Sequence, residues 1–155
     1  MKLQYLSKRE IKEISKKMSE EGFEFTPEKE IIADDSSRIL IGNGIMIEVE
    51  GMYYPFISDK RAQALPEVAV DDGAVKHIAN GASVMRPGVI SVDDRVRKNK
   101  PVKVTNRGQI ICVGLSLYDK QELESLDKGV VVKNVHRKGD KYWKLVSEYL
   151  SSLRS

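Results

Sequence analysis

Ten residues, in two clusters, could hold a chain of phosphates. In "DDGAVKHIANGASVMRPGV", Lys76, His77 and Asn80 fall on one side of a short helical pattern, with Gly73 at its start and Arg86 and Gly88 just beyond it. Lysine and arginine neutralise phosphates, and free backbone N–H groups at a helix start favour anions. Gly73 and Gly88 have no side chain to keep a sugar-phosphate away. Lys133, His136, Arg137 and Lys138 form the second cluster, near the end of the chain. This is the chemistry of holding a polyanion. Pattern alone also fits a plainer reading, in which Lys76 and His77 are ordinary solvated helix surface and His136 is a structural hydrogen-bonding histidine.

Bond-breaking chemistry has little to stand on. Neither histidine lies beside a nucleophile at a catalytic spacing, so no catalytic residue is expected. The one cysteine, Cys112 in "QIICVGLSL", reads as a buried inert thiol and cannot form a metal cluster by itself. No zinc, calcium or phosphate-loop motif occurs, so neither metal nor cofactor is expected. The pairs Asp34-Asp35, Asp71-Asp72 and Asp93-Asp94 sit at turns or a helix start, where aspartate serves as a cap. "RVRKNK" (Arg95, Arg97, Lys98, Lys100) is the densest basic run, and fits a solvated loop as well as a contact surface.

The elements that must position these residues follow from punctuation and periodicity. Asp71 or Asp72 can cap a helix that ends at Asn80-Gly81, with Ala74, Val75, Ile78 and Ala79 on its apolar side. "EVAV" before it and "VISV" after "GASVMRPGV" read as strands, and Gly81, Ala82, Met85 and Pro87 as the residues that shape the turn between helix and barrel. "PVKVTNRGQIICVGLSLY" is a hairpin turning at Asn106-Arg107-Gly108. "DKQELESLD" is a short helix or turn, and "KGVVVKNVH" a further strand. Short strands with alternating faces predict a small barrel.

Ahead of this lies a different unit. Ser7 and Glu10 match a capping box, Leu6 and Ile11 a hydrophobic staple, and Ile11, Ile14 and Met18 one apolar stripe ending at Gly22. Charges of both signs on its other face read as solvated surface. "EIIA", "SRILIG", "IMIEVEG" and "YYPFIS" follow as an antiparallel meander, with Met46, Glu48 and Glu50 expected on a wet face. "DKRAQALPEVAV" marks the boundary. At the far end Tyr142, Val146, Tyr149, Leu150 and Leu153 form a helical stripe, with Trp143 at its shoulder, able to stack on a base or to anchor one domain on the other.

The chain has 155 residues, is 41% hydrophobic and 32% charged, and carries a net charge of +3. It can build one ordinary domain or two small ones, and where the charges fall matters more than their small excess. Aromatics at 6% argue against a sugar-binding surface. No apolar run approaches membrane-spanning length and the N-terminus has no signal-peptide core, so a cytoplasmic protein without membrane attachment is expected.

The order strand, "DDGAVKHIANGASVMRPGVI", hairpin, "KGVVVKNVH" resembles the PUA domain, an RNA-binding module. The ending "KGVVVKNVHRKGDKYWK" and the α+β unit in front resemble the malignant T-cell-amplified sequence family and its archaeal relatives. The resemblance implies an α+β fold: an N-terminal α+β domain over 1–64, a PUA-type barrel with one inserted helix over 65–143, and a C-terminal helix over 144–155. It implies RNA in a groove between the short helix and the late strand, with the two basic clusters facing one another across it. It further implies a non-catalytic role in translation, on the small ribosomal subunit or at a tRNA acceptor end, with a protein or ribosomal partner for the N-terminal domain. Two alternatives stay open: an RNA-binding subunit of a tRNA or rRNA modification enzyme, and a protein adaptor that binds no RNA.

Overall fold

The structure, a computed structural model, describes residues 1–154. In chain order the elements are β1 Lys2–Tyr5, α1 Lys8–Glu20, β2 Pro27–Asp34, β3 Ser37–Gly42, β4 Ile45–Val49, β5 Met52–Pro55 and α2 Lys60–Gln63. They continue with β6 Glu67–Val70, α3 Asp72–Ala79, β7 Val84–Met85, a 3-10 turn Arg86–Gly88, β8 Val89–Val92, β9 Pro101–Asn106, β10 Gln109–Ser116, α4 Lys120–Ser125, β11 Val130–Arg137 and α5 Lys141–Ser152. They form two compact units, Met1–Arg61 with the stretch from Lys141 onward, and Ala62–Asp140.

The first unit is an antiparallel meander, β1-β2-β3-β4-β5, clad on both faces. Ser7 opens α1 with the expected reciprocal bonds: its N–H donates to Glu10 Oε1 at 3.0 Å, and the Glu10 N–H donates to Ser7 Oγ at 3.1 Å. Ile31, Ile39 and Ile47 align in register on one face, where they cluster with Phe56 and with Tyr142, Val146 and Tyr149 of α5. Leu40 and Met46 pair on the opposite face, toward α1 with its buried Ile14 and Met18. The wet face expected for β4 is therefore not wet: Met46 is fully buried, because α1 covers that side. Glu48 keeps partial exposure there by pairing with Arg38 at 2.9 Å, and Arg38 also reaches Glu30 at 3.3 Å. The α5 stripe is shorter than expected. Tyr142, Val146 and Tyr149 are buried, whereas Leu150 and Leu153 are 45% and 62% exposed. Trp143 stacks on Phe56 of its own unit at 5.7 Å, which leaves that ring face unavailable to a base.

The second unit is a six-stranded sheet ordered β7-β11-β10-β9-β6-β8, antiparallel except for the parallel pair β6 and β9. Its two edge strands, β7 and β8, are neighbours in the chain, joined by only the three residues Arg86–Gly88. Two edges so tethered cannot lie at opposite sides of a flat sheet, so the sheet curls into a nearly closed barrel. The closure is fastened at both ends, by Arg86 N–H to Gly129 O at 2.8 Å and Asp71 N–H to Gly88 O at 2.9 Å. Its interior is mostly valine, with Ile78 from α3, Leu123 from α4 and Cys112. Burial pushes the Cys112 thiol up to about 12, as an inert core residue requires. The β9–β10 turn has Arg107 at φ 51 and Gly108 at φ 80, the two left-handed residues of a type I′ hairpin.

Candidate nucleic-acid interface

Asp71 starts α3 by accepting a hydrogen bond from the Ala74 N–H at 3.0 Å. The helix start is then tied to the β9–β10 hairpin. Asp72 accepts from Arg107 at 2.6 Å and from Asn106 at 3.0 Å, and these two donors hold its carboxyl down at about 2. So fixed, α3 presents Gly73, Lys76, His77 and Asn80 to solvent and sends Ile78 into the core.

A groove of about 420 Å³ runs between α3 and the closure segment, lined on the helix side by Gly73, Ala74, His77 and Ile78 and opposite by Ser83, Met85, Pro87 and Gly88. Its floor is largely apolar, and Met85 is half exposed over it. Gly73, His77 and Gly88 thus meet in one place. Lys76 and Asn80 are exposed on the adjoining side of the helix without lining the groove.

This groove is not the one implied between α3 and the late strand, since no residue of β11 lines it. That junction is closed. The Asn134 side-chain amide donates to Ile78 O and Ala82 O, both at 3.0 Å, and the Arg137 guanidinium donates to Asn80 O at 3.5 Å. Gly81, at φ 105, makes room for that guanidinium: a Cβ there would stand 3.3 Å from Arg137 Nε. The second basic cluster is accordingly dispersed. Arg137 bridges to α3, Lys133 and Lys138 are exposed on and beyond β11, and His136 is fully buried with Nδ1 2.9 Å from Asp140 Oδ2. His136 and Arg137 are consecutive in β11, so their side chains leave on opposite faces, and a β-bulge that leaves Val135 without a partner on β10 shifts the register between them and Lys133. His136 is a packing and hydrogen-bonding residue, with no side-chain surface to offer a ligand.

Arg86 is also differently placed from expectation. It is half-buried and donates to Glu124 O at 3.3 Å, so its guanidinium fastens the closure to the end of α4 instead of reaching out. Gly88 is a packing glycine, since a Cβ there would come within 3.3 Å of Ala74 Cβ. The run Arg95–Lys100 is partly used within its own loop: Arg95 pairs with Asp93 at 2.8 Å and Arg97 donates to Asp94 O at 2.7 Å. Met85 and Pro87, read from sequence as shaping residues only, line the groove as well. The signal available was a methionine and a proline flanking Arg86 in a segment too short to bury both.

A family model of the PUA domain matches residues 66–138, which carry the barrel, α3 and the groove. Over 152 residues the chain is 36% identical to an uncharacterized protein of Methanocaldococcus jannaschii, covering 90% of this chain and 93% of that one. It is 35% identical over 95 residues to translation machinery-associated protein 20 of Schizosaccharomyces pombe, 57% of this chain and 52% of the yeast protein. The solved structure of a conserved PUA domain protein from Thermoplasma acidophilum superposes with a TM-score of 0.66 at 28% identity, covering 93% and 99% of the two chains. Fold and matched model together define a PUA-domain protein with an α+β unit formed by the two ends of the chain. Within that class, the chain belongs to the family of the Methanocaldococcus jannaschii protein and is a relative of the malignant T-cell-amplified sequence proteins, 28% identical over 127 residues to malignant T-cell-amplified sequence 1 of Rattus norvegicus, 76% of this chain and 70% of that one.

Proposed function

We propose that this protein is a non-catalytic RNA-binding protein of translation, working in the cytoplasm, which holds structured RNA along the α3 groove. The carrying observation is the groove itself: an open channel inside the PUA-matched residues, with bare backbone at Gly73, His77 on its wall and Lys76 beside it. An apolar floor suits a nucleobase, and the flanking cation suits the backbone next to it. The likeness to a translation machinery-associated protein supports the setting. In this reading the RNA is a tRNA acceptor end or ribosomal RNA, the docking platform is the small ribosomal subunit, and the first unit meets a protein or ribosomal partner. Among the described residues no helix is long and apolar enough to cross a membrane, and no cluster of side chains could hold a metal ion.

Fluorescence anisotropy with a labelled tRNA transcript tests the groove. The double variant Lys76→Glu, His77→Glu should weaken binding by about tenfold or more, equivalent to about 1.4 kcal/mol. Arg86→Gln should change RNA binding less than it changes the melting temperature. Full affinity in the double variant would remove the groove from the RNA-binding surface. Co-sedimentation with purified small subunits tests the setting, and wild-type protein that stays in the supernatant at low salt would argue against it.

A further inference from the structure

One flank of the exposed side of α1 is of a single sign over its first nine residues. Lys8, Lys12 and Lys16 stand four residues apart on a single flank, all exposed, and none makes an ion pair among the described residues. Of the helix's acidic residues, Glu20 stands four positions beyond Lys16 at the C-terminal end of the same row, and two others have duties of their own. Glu10 closes the capping box with Ser7, and Glu13 pairs with Arg9 at 3.1 Å. Across the sheet beneath, Glu30 and Glu48 are held by Arg38.

This arrangement works against the helix that carries it. Lys8 and Arg9 occupy the first turn, where the helix macrodipole disfavours cations, with only Glu10 to compensate. Like charges four residues apart also repel along the flank. Local choices that oppose the fold point to function.

From these observations we infer that the Lys8–Lys12–Lys16 flank of α1 is a second RNA-binding surface, a stripe that takes the phosphodiester backbone of one strand. Four helical residues rise about 6 Å, so the three ammonium groups are spaced like neighbouring phosphates over about 12 Å. The stripe includes no apolar or aromatic side chain, which a protein partner would need as an anchor. Lysine, a flexible point charge, suits backbone contact without sequence readout. The inference rests on the reading of this protein as RNA-binding but is independent of the α3 groove.

The test uses the full chain and a labelled tRNA transcript titrated at several salt concentrations. The triple variant Lys8→Gln, Lys12→Gln, Lys16→Gln keeps good helix formers, and far-UV circular dichroism checks that α1 survives. A matched triple, Lys60→Gln, Lys128→Gln, Lys144→Gln, removes the same charge elsewhere. Loss of three phosphate contacts lowers the slope of log affinity against log salt by about 2–3. The α1 triple is expected to show that drop and the matched triple less than one unit of it. Equal slopes for wild type and the α1 triple, or equal drops in both triples, overturn the inference. So does lysine-dependent binding of polyglutamate without such dependence for RNA. If the groove variant loses binding while the α1 triple does not, only the stripe falls. The reverse pattern leaves the stripe and removes the groove, and wild-type protein that binds no RNA removes both.

Discussion

At the scale of single residues, the arginines divide by what surrounds them. Arg86 and Arg137 were expected to face RNA, yet both are half-buried and donate to carbonyl groups of their own unit. The sequence could show that they are cationic and close to turn residues. It could not show that Glu124 O and Asn80 O would be within reach, because those partners lie 38 and 57 positions away. The residues on the surface of one helix, Gly73, Lys76, His77 and Asn80, were legible because helical spacing is local. Gly81 offers a measurable consequence. It is left-handed at φ 105 and its missing Cβ leaves room for the Arg137 guanidinium. Gly81→Ala should therefore destabilise the protein by about 1–2 kcal/mol, read from urea denaturation. Little or no shift in the midpoint would mean that the α3–β11 junction is not held by this contact.

At the scale of elements, α1 and α3 were readable from their caps, and the β9–β10 hairpin from its turn, since each signal lies within a few residues. Other features were not. β1 is a short, mostly exposed edge strand with no period that marks it as one. The covering of β4 on both faces depends on α1 and α5, which come from opposite ends of the chain. Barrel closure depends on which strands become edges, and nothing within the two residues of β7 states that. One inter-element bond carries a pH signature. Arg107 and Asn106 hold the Asp72 carboxyl at about 2 instead of its ordinary 3.8. A depressed carboxylate stabilises the fold above its unfolded value, and that contribution is lost as pH falls through the folded one. Acid should therefore loosen the attachment of α3 to the hairpin between about pH 4 and pH 2. Asp72→Asn should be less stable than wild type at neutral pH and should converge on it across that window. Parallel acid-unfolding curves for the two proteins would contradict this.

At the scale of the whole molecule, the two compact units each contain one natural reporter. Trp143 is the single tryptophan and stacks on Phe56 in the first unit, while Cys112 is the single cysteine and lies in the core of the second. Tryptophan fluorescence should follow unfolding of the first unit, and reaction of the thiol with a chromogenic disulfide should follow opening of the barrel. Removing the Trp143 anchor with Trp143→Ala should lower the stability of the first unit by about 2–4 kcal/mol and leave thiol protection in the folded barrel unchanged at low denaturant. Rapid thiol reaction in that variant without denaturant would show that the barrel cannot hold without an intact first unit.

The first unit is assembled from the two ends of the chain, with the barrel between them, and this sets an order for synthesis. As the polypeptide leaves a ribosome from its N-terminus, the meander emerges with Ile31, Ile39, Ile47 and Phe56 still lacking the helix that covers them. The barrel, continuous from Ala62 to Asp140, has every strand it needs before α5 has been made. Vectorial synthesis thus favours completion of the middle of this protein before its beginning. During that interval an apolar sheet face waits for Tyr142, Val146 and Tyr149. A chain cut short after residue 140 would leave that face open for good, so the arrival of α5 is the step that makes the first unit safe from aggregation.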